Sequence, residues 1–245
     1  MEGLSIMLFG EINTISRSAD IVLIIDTTKS MRPIIKKLQQ VGSWWSALEH
    51  QSKRRIKKYK KCRFKVIWFR NFHHSGKNVY GESKFFDIFN ENEEKELIDY
   101  LNNIEVGNEE NFACSALESL YMAMNSDFNS KADKSRYVFV LITDKPAHPL
   151  EQQDQNLFIN YTFYMPQSIK DFYYEWDQAV YPLGTTDPKL DIENKRLILV
   201  APDVYPWNEM FCDLDYTVFL EISPNRGGID LRMEDLLHFI DYALS

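Results

Sequence analysis

Short runs that are apolar at every position alternate along this chain with longer stretches whose apolar residues recur every three or four positions. Asp20-Ile-Val-Leu-Ile-Ile25 is one such run and ends in Asp26; Tyr137-Val-Phe-Val-Leu-Ile142 is another and ends in Thr143-Asp144. Residues 196–201 and 217–222 repeat the pattern, stopped by Pro202 and Pro224. Strands apolar throughout are strands buried on both faces. A further strand is predicted over 63–72, and an antiparallel partner over 84–89, reached through the turn residues Ser75-Gly76-Lys77-Asn78. Helical spacing covers 33–51, with Ile34, Ile35, Leu38, Val41, Trp44, Trp45 and Leu48 on one side and Pro33 in a favourable first turn. It covers 91–103, 111–125 and 168–180 as well. A final helix follows Gly227-Gly228 and runs to Leu244.

Buried strands separated by helices predict an α/β fold: a doubly wound, mainly parallel sheet with one antiparallel edge strand and helices on both faces. Right-handed crossovers leave few topologies. No linker divides the chain, so residues 1–245 are expected to form a single domain, with the loose stretches 145–167 and 181–194 decorating one edge.

Composition narrows the class. At 44% hydrophobic and 26% charged in 245 residues, the chain can bury a sizeable core. No apolar run reaches the roughly 20 residues of a membrane helix, and residues 1–9 lack a basic region and a small-residue cleavage site, so no signal peptide is read there. Cys62, Cys114 and Cys212 form no close pair, which fits a reducing compartment and a cytoplasmic location. The net charge of −8 argues against a nucleic-acid partner. The basic residues Lys53, Arg54, Arg55, Lys57, Lys58, Lys60, Lys61, Arg63 and Lys65 stand without an intervening acid. They read as the solvated end of the first helix, where cations suit the dipole, or as a docking patch for an acidic partner.

Ligand sites of doubly wound sheets lie beyond the carboxyl ends of the strands. Asp26 and Asp144 end two apolar strands, and Asp26, Thr28 and Ser30 alternate along one short loop. Residues two apart in extended chain point the same way. Their oxygens and the Asp144 carboxylate can converge on a hard cation, Mg²⁺ or else Mn²⁺ or Ca²⁺. Helix capping is the competing reading of the same Asp, Thr and Ser residues.

The run from Asp20 to Asp26-Thr-Thr28-Lys-Ser30-Met31 resembles the opening strand and D-x-[ST]-x-S loop of von Willebrand factor A (vWA) domains, which begins their metal-ion-dependent adhesion site. Trp68-Phe-Arg70-Asn71 is similar to the F-R-D stretch of bacterial stand-alone members. Gly107-Asn-Glu-Glu-Asn111-Phe-Ala-Cys-Ser-Ala116-Leu-Glu-Ser-Leu120 resembles their G-G-G-D-x-P-E-x-A-L-E-A-L segment, and Leu141-Ile-Thr143-Asp144-Lys-Pro146-Ala-His148 their I-T-D-A-P-P-H segment. The resemblance spans residues 20–148 and implies a vWA fold with metal contacts at Asp26, Thr28, Ser30, Asn111 and Asp144. It also implies a non-enzymatic module that binds a partner protein's Asp or Glu through the cation. Asn71 and Asn111 stand where the family has acids, which lowers the negative charge of the site. Asn111 reads equally as a helix cap.

Arg70 and His148 are the candidate partner contacts. Arg70 also reads as half of a structural ion pair with Glu109, Glu110 or Asp144. The adjacent His73 and His74 point to opposite faces and cannot easily clasp one metal. Tyr161, Phe163, Tyr164, Phe172, Tyr173, Tyr174 and Trp176 suit edge packing or a partner surface. The rival class is a haloacid-dehalogenase-like phosphoryl-transfer enzyme, with Asp26 as nucleophile, Thr28 and Ser30 on phosphate, and Mg²⁺ nearby. Its later acidic pair fits Asp203 and Asp213 poorly. No G-x-G-x-x-G, G-x-x-x-x-G-K-[ST] or G-x-S-x-G supports a nucleotide-binding or Ser-hydrolase reading.

Overall fold

Strand β1 (Arg17–Asp26) lies at the centre of the sheet and is buried almost throughout. In a computed structural model, which describes residues 15–52, 56–72, 78–108, 110, 112–128, 132–150, 165–177 and 192–245, β1 pairs in parallel with β2 (Lys61–Phe69) on one side and β5 (Lys134–Ile142) on the other. Strands β6 (Lys195–Ala201) and β7 (Thr217–Glu221) extend the parallel sheet beyond β5. The far edge is antiparallel and built from two short pieces, β3 (Tyr80–Glu82) and β4 (Phe86–Asp87), both paired with β2. The order is β3-β2-β1-β5-β6-β7, with β4 beside β2. The chain therefore leaves β1 first to one side and later to the other, and the crevice of a doubly wound sheet opens at that reversal, above the ends of β1 and β5.

Alternation along the strands sorts the core into two layers. Ala19, Ile21, Leu23 and Ile25 face α1 (Arg32–Gln39), α2 (Trp44–Ser52), α3 (Glu91–Asn102) and α7 (Met233–Ala243). Val22 and Ile24 face α4 (Ala116–Met124), α5 (Ile169–Asp177) and α6 (Trp207–Asp213). Each fully buried Leu, Ile or Phe contributes about 1.5–3 kcal/mol, so these layers are what hold the loops at the strand ends in place. Among the described residues no helix is long and apolar enough to cross a membrane.

Several boundaries differ from expectation. The predicted helix over 33–51 is two helices, broken at Val41-Gly42-Ser43. Glycine is disfavoured inside a helix, and Ser43 Oγ accepts the Ser46 N–H at 3.0 Å, restarting the chain as α2. The basic stretch does not simply close a helix, because Lys61 begins β2. Arg63 forms a two-pronged pair with Asp20 (2.7 and 2.6 Å), Lys65 pairs with Glu82 (2.7 Å) and Lys57 with Glu49 (2.9 Å). Lys53, Arg54 and Arg55 lie outside the described residues. The strand expected over 84–89 shrinks to β4, a further short strand, β3, precedes it, and helix α6 was not expected at all. Phe172 and Trp176 are core residues whereas Tyr174 is exposed; Tyr161, Phe163 and Tyr164 fall outside the described residues.

Candidate functional site

Four loops meet above the ends of β1 and β5. The first carries Asp26, the last residue of β1, fully buried. Its Oδ1 accepts the Thr28 N–H at 2.8 Å, and its Oδ2 accepts the Thr143 hydroxyl at 2.8 Å. A 3-10 turn over Lys29–Met31 then leads into α1. Neither Thr28 before that turn nor Met31 before α1 makes a side-chain capping bond, so the capping reading of this loop is not what its side chains do.

Asp144, just past β5, comes to the same place. Ser30 Oγ donates to Asp144 Oδ1 at 2.9 Å, joining residues 114 positions apart. The other carboxylate oxygen accepts the Gly227 N–H at 2.7 Å, and the Asp144 carbonyl accepts the Asn225 N–H at 3.0 Å. The fourth loop thus clamps Asp144 from behind. It is itself pinned to α1, because Lys37 Nζ donates to the carbonyls of Gly228, Ile229 and Leu231.

The third loop is tied in by its backbone. Gly107 N–H donates to the Thr27 carbonyl at 2.8 Å, Cys114 N–H to Pro146 at 3.1 Å, and His148 N–H to Cys114 at 3.0 Å. Helix α4 accordingly starts only at Ala116, with Ser115 in the N-cap position, five residues after the expected start. Asn111, the predicted ligand from this loop, lies outside the described residues, as do His73 and His74.

Arg70 is spent on structure. It donates to the carbonyls of Asn78 (2.8 Å) and Glu105 (2.9 Å) and to Thr27 Oγ1 (3.3 Å), and a Cβ on Gly107 would lie 2.9 Å from its Nε. Of the acids expected to pair with it, Glu110 is engaged with Lys29 and Asp144 with Ser30 and Gly227, while Glu109 lies outside the described residues. His148 is half-buried, and neither Arg70 nor His148 lines the cavity over the site.

That cavity, about 710 Å³, is walled by Lys29, Ser30, Glu110, Phe112, Lys145 and Asn225. Beneath Ser30 lie Asp26, Thr28 and Asp144, all without solvent exposure. Burial pushes the Asp26 carboxyl above its ordinary value; hydrogen bonds from Thr28 and Thr143 pull it down, and the nearby Asp144 charge adds a smaller upward push. Thr28 Oγ1 is buried and makes no hydrogen bond of ordinary geometry, although it sits near enough to Asp26 to lower that carboxyl. An orphaned buried hydroxyl costs about 1–3 kcal/mol unless something else uses it. Two carboxylates and two hydroxyls form a hard-oxygen donor set that fits Mg²⁺ chemistry. No cluster of three or more His, Cys, Asp or Glu suited to a metal exists among the described residues, so such an ion would depend on the hydroxyls.

Sequence reasoning missed Thr143, Asn225 and Gly227. The Thr143 hydroxyl was legible as the residue between an apolar strand and Asp144. The Gly227-Gly228 pair after the stop at Pro224 signalled a special turn, but not its destination.

No protein-family model and no curated protein sequence matches the chain. Solved structures do resemble its fold. The pilus adhesin SpaC from Lactobacillus rhamnosus GG is similar in two crystal structures, with TM-scores of 0.52 and, in an open conformation, 0.49. Identity is 12% in both, over 93% of this chain and 30% of the adhesin. Proximal thread matrix protein 1 of the mussel byssus has a TM-score of 0.44 at 11% identity, over 93% of this chain and 46% of that one. This chain thus spans about a third of the adhesin's length, and the likeness concerns the fold.

Proposed function

We propose that this chain is a vWA-type interaction module that holds one divalent cation, Mg²⁺ or else Mn²⁺ or Ca²⁺, at the ends of β1 and β5 and captures an Asp or Glu of a partner protein there. Asp26, Thr28, Ser30 and Asp144 would hold the ion, with the Asn111 amide oxygen as the third-loop donor. When bound, the ion supplies a positive charge that an incoming carboxylate can complete. The chain's own residues order the donors: the Thr28 N–H and Thr143 hydroxyl orient Asp26, and Ser30 and Gly227 orient Asp144. Lys145 lines the cavity wall, as does Lys29, whose charge is paired with Glu110 on the same wall. The observation that carries the reading is the Ser30–Asp144 bond above a Thr28 hydroxyl that makes no hydrogen bond of ordinary geometry.

Nucleophilic chemistry at Asp26 is the weaker reading, since both its oxygens are engaged and no surface of it is exposed. A cytoplasmic setting accords with three free cysteines, Cys62 and Cys114 buried and Cys212 exposed.

Thermal unfolding with and without Mg²⁺ tests the proposal. An ion at ten times its Kd stabilises by about 1.4 kcal/mol, or roughly 3–6 °C for a domain of this size. Asp26→Ala and the milder Ser30→Ala should abolish the shift. An equal shift in both variants, or hydrolysis of a phosphate ester lost in Asp26→Asn, overturns it.

A further inference from the structure

A second cavity, about 440 Å³, lies at the opposite pole, where β1, β5 and β6 begin. Its walls carry Arg17, Arg136 and Arg196, together with Lys134. Strand alternation puts the three arginines on one face: each stands two positions before a core residue of the same layer, Ala19, Val138 and Ile198. Register makes them neighbours, with Ala19 opposite Arg136 and Val138 opposite Arg196.

Their hydrogen-bond partners are mainly neutral carbonyl and amide oxygens. Arg136 donates to Asn194 Oδ1 at 3.1 Å and, at 3.4 Å, to the backbone oxygens of Glu193 and Ser245. Arg196 donates to the carbonyls of Glu193 (2.8 Å) and Lys195 (2.6 Å) and lies 4.2 Å from the centre of the Tyr216 ring. The ion pairs of arginine among the described residues involve Arg63 and Arg232, and none of these three. Arg136 Nε is buried without a hydrogen-bond partner. Two carboxylates share the rim: Asp133, which accepts the Ser16 N–H at 2.8 Å, and Glu193.

Burial holds the Arg196 guanidinium below its usual value, and the neighbouring Arg136 charge adds to the effect. Tyr59 on the same wall, bonded to the Leu244 carbonyl at 2.5 Å, is pushed up to about 12 by burial, against the pull of Arg136 first and of Arg17 and Arg196 after it. One arginine would suffice to cap the end of α7 at Ser245. Among the described residues, three arginines and Lys134 in one recess stand against the Asp133 and Glu193 carboxylates on its rim, which leaves a local excess of positive charge in a chain of net charge −8. Guanidinium forks match phosphate oxygens in pairs, and the volume falls in the usual range for small-molecule sites, about 300–1,000 Å³.

We propose that this recess binds a small phosphate-bearing ligand, with Arg136 and Arg196 gripping its oxygens and Arg17 at the mouth. A nucleic-acid strand is disfavoured because the cations form one recess with acids on its rim and no extended stripe. The inference is independent of the cation site at the other pole.

Calorimetric titration of the full chain with inorganic pyrophosphate, at physiological chloride, tests it. One-to-one binding is expected, weakened at least tenfold in the Arg136→Gln/Arg196→Gln double variant. It should be unchanged in Lys84→Gln, whose exposed ammonium pairs with Glu96 away from the recess. No binding at millimolar pyrophosphate, equal affinity in the double variant, or tighter binding of a single-stranded oligonucleotide overturns the proposal. If circular dichroism shows the double variant unfolded, Arg17→Gln decides. The Arg17 side chain makes no hydrogen bond among the described residues, so several-fold weakening supports the site and unchanged affinity overturns it.

Discussion

The backbone N–H of Gly227 donates to Asp144 Oδ2 at 2.7 Å, while its carbonyl accepts the Ile34 N–H at 3.1 Å. One residue of the last loop therefore ties the end of β5 to the first turn of α1. Gly227 sits at φ 60°, and a Cβ there would come within 1.8 Å of the Ser30 carbonyl oxygen. No other residue fits without moving the loop that carries Ser30.

Gly227→Ala should accordingly cost roughly 3 kcal/mol from left-handed backbone strain and collision together. Thermal unfolding should show a fall of about 6–12 °C. Gly42→Ala is the contrast, since nothing lies within 4 Å of the added methyl. It should change stability by less than about 1 kcal/mol.

Thr28→Val separates stability from cation binding. The Thr28 hydroxyl makes no hydrogen bond of ordinary geometry, only a weak pull on the Asp26 carboxylate, so metal-free stability should stay within about 1 kcal/mol of the unaltered protein. The Mg²⁺-induced rise in melting temperature should disappear. A retained rise would remove Thr28 from the donor set.

Ser30→Ala behaves differently. It leaves Asp144 Oδ1 without the hydroxyl that donates at 2.9 Å, and metal-free stability should fall by about 1–2 kcal/mol. Chemical denaturation in the presence of a chelator measures this directly.

Glu118, fully buried in α4, gives a pH signature. Burial raises its carboxyl from the ordinary 4.5 to about 8. Between those values the folded protein holds a proton that the unfolded chain has released, so raising the pH costs stability. Relative to Glu118→Gln, which has no such proton, the unaltered protein should lose up to roughly 4 kcal/mol between pH 4.5 and pH 8. Denaturation midpoints measured across that window check the sign; parallel curves would show that Glu118 is ionised in the fold.

Asp20 and Arg63 form a largely buried pair, with side chains 2% and 16% exposed. Asp20→Asn leaves the guanidinium without its carboxylate and should cost about 3 kcal/mol. A double-mutant cycle with Arg63→Met should recover part of it.

The sequence by itself determined the layers and the direction of the sheet. Runs such as Ile21–Ile25 and Val138–Ile142 are apolar at every position, and only strands covered on both faces meet that condition. It also showed Asp26, Thr28, Ser30 and Asp144 as a set, because strand ends and a two-residue period are local properties. It could not show the break at Gly42, where Ser43 turns to Glu94 on another helix at 2.9 Å. Nor could it show that Arg70 would find carbonyls in place of acids, that Gly227 would reach Asp144, or that three arginines on three strands would share one recess. Those contacts join residues far apart along the chain, and their partners become neighbours only once the crossovers have set strand order and register. Periodicity is written along the backbone; which side chains meet across the ends of the sheet is decided by packing.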